Sequence, residues 1–291
     1  MIKDDFNALL KSIARRFLPA GIRQAIRLFI NIIGDWKNIL YLARLRMRME
    51  SKKSGTIMHC LDYKVRINDG PNYYILYKDI FLKHIYHFEA QRRDPLILDC
   101  GSNIGMSILY FKRIYPQSRI IGFEPDPAIF PYLQENISIN NLNKVELIRA
   151  AICGQKGVLT FSSDSKYGSC LTGSKPSDIQ EVWMEYNVPC VRLREYLAEP
   201  VDFLKMNIEG AEWEALADAK ERLSQVREMV IEYHHLPGLQ RTLHNILGLL
   251  HEMGFEYLIN DFDSETNSEV KSPFYLGRDS RYYLLIYAKH R

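Results

Sequence analysis

Leu96-Ile97-Leu98-Asp99-Cys100-Gly101-Ser102-Asn103-Ile104-Gly105 carries an apolar run into an acid and then a glycine-bounded turn, and helical periodicity follows as far as Tyr115. The pattern predicts a short buried strand over Pro95 to Cys100 and a helix over Gly105 to Tyr115, joined by that turn. Glycines at such a turn permit close backbone approach, and the N–H groups of a helix start favour polar or anionic ligand groups, so a nucleotide-like ligand is the natural occupant.

A second strand ends in Phe123-Glu124-Pro125-Asp126-Pro127. This puts a carboxylate at the C-terminal edge of a sheet, where its paired oxygens can accept from two ribose hydroxyls. A nicotinamide dehydrogenase would also join a glycine turn to a ribose acid, but it needs the closely spaced glycines of G-x-G-x-x-G around a diphosphate. Here the turn reads D-x-G-x-N-x-G, and an acid aimed into it repels a diphosphate and suits a cationic or zwitterionic ligand. S-adenosylmethionine has a ribose, an ammonium and a sulfonium, and no phosphate.

Outward from this core, strands and helices alternate. Strands are expected over Ser118 to Phe123, Val145 to Ile152, Gly157 to Phe161, Val201 to Ile208 and Val226 to Tyr233. Helices are expected over Pro127 to Asn140, Ala211 to Leu223 and Leu239 to Met253. Such alternation indicates an α/β fold, a mostly parallel sheet with helices on both faces. Tyr257 to Phe262 and Tyr282 to Ala288 read as a closing antiparallel hairpin at one edge. Before the core, Thr56 to Asn68 reads as strands ending in the turn Asn68-Asp69-Gly70-Pro71, and Lys78 to Ala90 as a helix. His84 and His87 in that helix read as aromatic packing partners, since no third metal ligand is spaced to join them.

Hydrophobic residues at 47% and charged residues at 25% of 291 are globular composition and exclude collagen-like, disordered and disulfide-scaffold classes. The five cysteines are an odd number, far apart, with no C-x-x-C pair, which predicts reduced thiols in a cytosolic compartment. No apolar stretch is long enough to span a bilayer and the start lacks the order of a secretory signal.

Met1 to Lys53 holds twelve Lys and Arg against four Asp and Glu, which leaves the rest of the chain at a net charge of −5. Two amphipathic helices are expected there, over Phe6 to Phe17 and Ile22 to Ile33, followed by Arg44, Arg46 and Arg48. The chain therefore divides at residue 54 into a basic helical extension and a domain over residues 55–291. The extension could pack on the core, join copies of the chain or lie on an anionic membrane surface. Nucleic acid is disfavoured because the body is acidic.

The segments Leu98 to Gly105, Gly122 to Pro127, Glu135-Asn136 with Asn140-Asn141-Leu142, Phe203-Leu204-Lys205-Met206-Asn207-Ile208-Glu209-Gly210-Ala211-Glu212 and Ile231-Glu232-Tyr233-His234 together resemble the FkbM family of S-adenosylmethionine-dependent methyltransferases. The resemblance implies the class I methyltransferase fold, Rossmann-like with a seven-stranded sheet. It also implies S-adenosylmethionine as cofactor, held by Asp99, the turn Gly101, Ser102, Asn103 and Gly105, and Glu124 with Pro125 and Asp126. The implied activity is O-methyl transfer to a hydroxyl of a sugar, glycan precursor or related metabolite. Asn207 departs from the family, which usually carries Asp there and so has a group that can take a proton.

A neutral hydroxyl must lose its proton to be methylated. Candidate bases at the sheet's C-terminal edge are Glu209, Glu232 and His234, with Glu212 and His235 nearby. His234 has the ordinary pKa suited to a base at neutral pH, whereas Glu209 and Glu232 would need burial to raise theirs. Glu209 and Glu212 could equally cap the following helix. A divalent cation held by Glu209, Glu232 and His234 is disfavoured, because hard metals usually gather more carboxylates. Substrate contacts are expected from Ser162 to Trp183, including Tyr167, Ser169 and Trp183, and from Ser264 to Ser280. A second reading makes the chain a catalytically impaired S-adenosylmethionine-binding protein in which Asn207 has removed the chemistry; a third makes it a nicotinamide oxidoreductase.

Overall fold

A computed structural model describes residues 40–163, 169–171, 184–235, 240–261 and 282–290. The chain divides into two units, Met1–Ser51 and Lys52–Arg291. Within the first, residues 40–50 form a helix, α1, on which Arg46 and Glu50 pair at 3.9 Å. The helices expected over Phe6 to Phe17 and Ile22 to Ile33 lie outside the described residues. No helix among the described residues is long and apolar enough to cross a membrane.

The second unit opens with the hairpin β1 (Ile57–Cys60) and β2 (Tyr63–Arg66). The segment after it departs from expectation. Helix α2 (Gly70–Leu76) starts eight residues early and passes into a π-helical turn, Tyr77–Leu82, where the helical path ends. Asp69 is its N-cap, accepting from Asn72 N at 2.9 Å, with Pro71 in the first turn. Asp-Gly-Pro is thus a helix start, because Pro lacks only an N–H that the first turn leaves unpaired anyway.

The main sheet uses β3 (Leu96–Cys100), β4 (Arg119–Phe123), β5 (Val145–Ile148), β10 (Val201–Met206), β11 (Val226–His235), β12 (Phe255–Asp261) and β13 (Tyr282–His290). Its order is β12-β13-β11-β10-β3-β4-β5. The hairpin β12–β13 is antiparallel and at the edge, β13 runs antiparallel to β11, and the remaining pairs are parallel. Between strands come α3 (Met106–Ile114), α4 (Phe130–Ile139), α5 (Glu212–Ala219, continued as a 3₁₀ turn to Gln225) and α6 (Leu243–Glu252).

Alternation along β10 sorts the two faces. Leu204 and Met206 belong to a buried cluster with Leu216 of α5 and Leu250 of α6. Phe203 turns the other way and stacks on Phe88 at 4.3 Å, with Phe111 of α3 edge-on at 5.7 Å. Lys205 and Asn207 follow Phe203 on that second face. Their register neighbours set what they meet: Lys205 lies beside Asp99 of β3 and Val230 of β11.

The strand expected over Val145 to Ile152 breaks in two. After β5, β6 (Ala151–Cys153) leaves for a separate sheet of order β6-β9-β7-β8, with β7 (Gly157–Ser163), β8 (Ser169–Leu171) and β9 (Met184–Arg192). β9 went unread because Pro189 demotes a strand pattern, yet Val188 and Cys190 are buried while Asn187 and Pro189 face out. Cys153 and Cys190 meet across this sheet, Cα atoms 5.9 Å apart, and are joined as a disulfide. That pair overturns the expectation of five reduced thiols; Cys60 and Cys100 are free and buried.

Candidate active site

A cavity of about 370 Å³ opens where β3, β4, β10 and β11 end. At one end lies the turn after β3. Gly101 has φ +84, and a Cβ there would sit 1.8 Å from the Asn207 carbonyl oxygen; no other residue fits. Gly101 N and Ser102 N donate to Phe123 O at 2.9 and 2.8 Å, and Gly105, at φ +91, starts α3. Gly101, Ser102, Asn103, Glu124 and Pro125 line the cavity.

Glu124 is buried and accepts from Asn103 N at 2.8 Å and Asp126 N at 2.9 Å, one bond to each oxygen. Burial pushes its pKa up to about 7, against the pull of those two N–H bonds. Each carboxylate oxygen still has a lone pair to offer.

Three of the residues predicted to contact cofactor, Gly105, Asp126 and Asp99, do not line this space; Gly105 is the cap of α3. Asp126 is fully buried and its Oδ1 accepts from Ala128 N at 2.7 Å, shaping the entry to α4. Asp99 is fully buried behind the turn. Its Oδ2 accepts from Ser107 Oγ at 2.6 Å and its Oδ1 lies 3.3 Å from Lys205 Nζ. The acid is therefore matched by an internal cation rather than aimed at a ligand. Lys205 also donates to the carbonyls of Gly101 and Cys100 and sits 5.5 Å over the Tyr86 ring. One buried ammonium thus ties the strand end, the turn and Tyr86 together.

The other end of the cavity is acidic. Period-two alternation brings Glu232 and His234 of β11 to the same face as Lys205 and Asn207. Glu232 Oε1 accepts from Tyr86 Oη and Oε2 from Asn207 Nδ2 at 2.8 Å; burial raises its pKa, and Lys205, His234 and Tyr86 oppose the rise. Glu209 lies just beyond Asn207 with φ +55, a backbone conformation that costs a non-glycine residue about 1–3 kcal/mol and clusters at functional sites. Among the described residues its carboxylate has no hydrogen bond, and its nearest charged partner is His234 Nε2 at 3.7 Å. Burial raises its pKa, with His234 opposing.

His234 does not have the titration expected of a neutral-pH base. Burial works against its charge, but Glu209, Glu212 and Glu232 outweigh burial and push its pKa up to about 10. Its Nδ1 donates to the Glu232 carbonyl at 2.9 Å and lies 3.4 Å from Glu212 Oε1. Glu212 is buried and also accepts from Gly210 N at 3.0 Å, so the helix-start reading fits it. His235 turns to the opposite face and is buried against the Tyr282 ring at 4.8 Å.

The cavity also takes in Asn72, Asp79, Tyr86, Ser107, Lys205 and Tyr283, none of which carried a predicted role. A lysine inside the apolar run Val201 to Met206 was a readable signal for one of them; Tyr86 gave none. His84 and His87 both approach the Tyr110 hydroxyl, at 3.2 and 3.4 Å. Among the described residues no group of three or more His, Cys, Asp or Glu is placed to hold a metal ion. Tyr167, Trp183 and Ser264 to Ser280 lie outside the described residues, as does the side chain of Ser169.

The donor set fits S-adenosylmethionine. A bare glycine turn, spare carboxylate lone pairs at Glu124 and, among the described residues lining the cavity, no cation left unpaired for a diphosphate are what a ribose-bearing, phosphate-free ligand requires.

The model of the methyltransferase FkbM domain matches residues 99–257, more than half of the chain. Methyltransferase sdnD of Sordaria araneosa is 29% identical over 213 residues, covering 62% of this chain and 81% of its own. The 2-O-methyltransferase NoeI of Sinorhizobium fredii is 29% identical over 178 residues, 55% of this chain and 72% of its own. The 31-O-demethyl-FK506 methyltransferase FkbM of Streptomyces tacrolimicus is 24% identical over 216 residues, 62% and 80%.

Proposed function

The chain belongs to the FkbM methyltransferase family, and from that premise we propose that it methylates a hydroxyl of a sugar, glycan precursor or related metabolite, with Glu209 as the proton acceptor. It is a methyltransferase and its cofactor is S-adenosylmethionine, which supplies a methyl group activated by the sulfonium. Support for oxygen as the acceptor comes from the relatives named for 2-O- and 31-O-methylation.

Glu209 carries the reading. It lines the cavity in a strained conformation with its carboxylate free of hydrogen bonds among the described residues. Glu232 is on the same wall, but both of its oxygens already accept, which suits it to holding neighbours in place. His234 stays an imidazolium at neutral pH, so it orients Glu209 and offsets its charge rather than taking a proton. Glu124 would accept from the ribose hydroxyls, and the Gly101–Gly105 turn would admit the cofactor to the sheet edge. The acceptor hydroxyl then gives its proton to a Glu209 oxygen as the new bond to carbon forms. Asn207 is no obstacle, because the base is two residues away.

The test is calorimetric titration with S-adenosylmethionine and S-adenosylhomocysteine, then methyl transfer from labelled cofactor to a panel of sugar hydroxyls. Glu209→Gln is expected to bind the cofactor within about threefold of the parent and to lose about 10²–10⁴ in rate, the usual contribution of a positioned base. Undiminished turnover in that variant would remove Glu209 from the role, and a parent that binds neither compound would overturn the whole reading.

A further inference from the structure

Lys205 is a cation on a central strand, and its side chain is almost fully buried. An ammonium has three N–H donors, and three acceptors face this one: the carbonyls of Gly101 and Cys100, and Asp99 Oδ1 at 3.3 Å. Lys205 therefore has no donor left for a ligand, although it lines the cavity. The Gly101 carbonyl that it polarises belongs to the Gly101–Ser102 peptide, whose N–H donates to Phe123 O at 2.8 Å. Phe123 O belongs in turn to the Phe123–Glu124 peptide, whose N–H donates to Ile148 O at 3.2 Å. Hydrogen bonds in a chain polarise one another, and this chain runs from a buried ammonium through the glycine turn to the backbone of Glu124. The turn meets Glu124 a second time, because Asn103 N donates to its Oε2 at 2.8 Å.

Resting on the reading above, in which Glu124 accepts from the ribose hydroxyls, we propose that Lys205 is a positioning residue for the cofactor, acting through the turn and the Glu124 carboxylate and not on the ligand. Burial favours the neutral form of Glu124 and the Asp126 carboxylate adds repulsion; the N–H bonds of Asp126 and Asn103 and the charge of Lys205 oppose them. The other cation lining the cavity among the described residues, His234, acts on Glu209 and Glu232 at the far end, where Lys205 reaches as well. The counter-charge of Lys205 is Asp99, which lies behind the turn and outside the cavity lining. The pair thus shows its positive end to the cofactor site. Removing Lys205 makes Glu124 easier to protonate, whether or not Asp99 then takes a proton itself. Removing Asp99 leaves the ammonium less neutralised and makes Glu124 easier to ionise. A lysine that only filled space would produce neither shift.

Calorimetric titration of the full chain with S-adenosylhomocysteine, between about pH 5.5 and 9, tests this. The parent's affinity should fall as pH drops through about 7. In Lys205→Gln that midpoint is expected to rise by about one unit, which makes affinity about tenfold lower near pH 6 and lets it recover as pH rises. In Asp99→Asn, whose amide oxygen can still accept from Ser107 Oγ, the midpoint should fall and affinity near pH 6 should increase. On a Glu124→Gln background, Lys205→Gln should change affinity equally at every pH. Midpoints that stay at the parental value in both variants, whatever the loss of affinity, would overturn the proposal and leave Lys205 a structural role alone. Shifts of the same sign would overturn it too. If Lys205→Gln does not fold, Asp99→Asn decides by itself, since an unmoved or raised midpoint there contradicts the proposal. A parent with a flat profile would instead remove Glu124 from the ribose role, and the proposal with it, whereas a parent that binds no S-adenosylhomocysteine would sink the methyltransferase site itself.

Discussion

The two ends of the cavity are built on different principles. The turn end comes from one contiguous stretch, Asp99 to Gly105, with Glu124 added, and its shape is set by backbone: positive φ at Gly101 and Gly105 and amide bonds to Phe123 O. The acidic end comes from Tyr86, Asn207 with Glu209, and Glu232 with His234, three segments far apart in the chain, and is set by mutual charge and hydrogen bonds. A site made of backbone conformation tolerates no added atom. A site made of paired charges tolerates shape changes but responds to protons.

The sharpest break of that contrast is Gly101→Ala. The new Cβ meets backbone, not a yielding side chain, and the residue must also hold φ +84. The expected cost exceeds about 4 kcal/mol, in the range reserved for steric or backbone failure, with S-adenosylhomocysteine binding lost. Urea unfolding with and without that ligand measures both. An alanine variant of parental stability and affinity would mean that the turn is not the rigid element described.

The same contrast explains what could be read in advance. The strand, turn and helix at Leu96 to Ile114 and the carboxylate of Glu124 were legible because local periodicity and glycine spacing encode them. The sheet edge β12–β13 was legible for the same reason. The helix at Gly70 was misplaced because Asp69-Gly70-Pro71 serves turns and helix starts alike, and β9 was hidden by Pro189. Tyr86 and Lys205 acquire roles only when distant strands come into register. His234 looked like a neutral-pH base because its ordinary pKa was all the sequence offered; three carboxylates around it are a tertiary fact.

A smaller effect sharpens the turn end. Glu124 titrates at about 7 in the free protein, and ribose hydroxyls donate best to its ionised form. Ligand binding should therefore lower that pKa, so affinity for S-adenosylhomocysteine should fall as pH drops through about 7, by up to about tenfold per unit. Glu124→Gln should bind more weakly at pH 8 and show a flat profile. A steep slope that persists in the glutamine variant would assign the proton elsewhere.

The acidic end titrates in another window, and in stability. His234 has a folded pKa of about 10 against an ordinary 6.5. The folded state thus holds a proton that the unfolded chain releases between those values. The stabilisation is complete below about 6.5 and is lost as pH rises through 10. Thermal midpoints of the ligand-free protein should decline by a few degrees from pH 7 to pH 10, and His234→Gln should remove that part of the slope. Since Glu124 acts near 7 on affinity and His234 nearer 10 on stability, the two ends can be followed in one protein by two readouts. If His234→Gln instead reproduced the parental decline, the charge on that ring would not be what holds the acidic wall together, and Glu209 would need another partner.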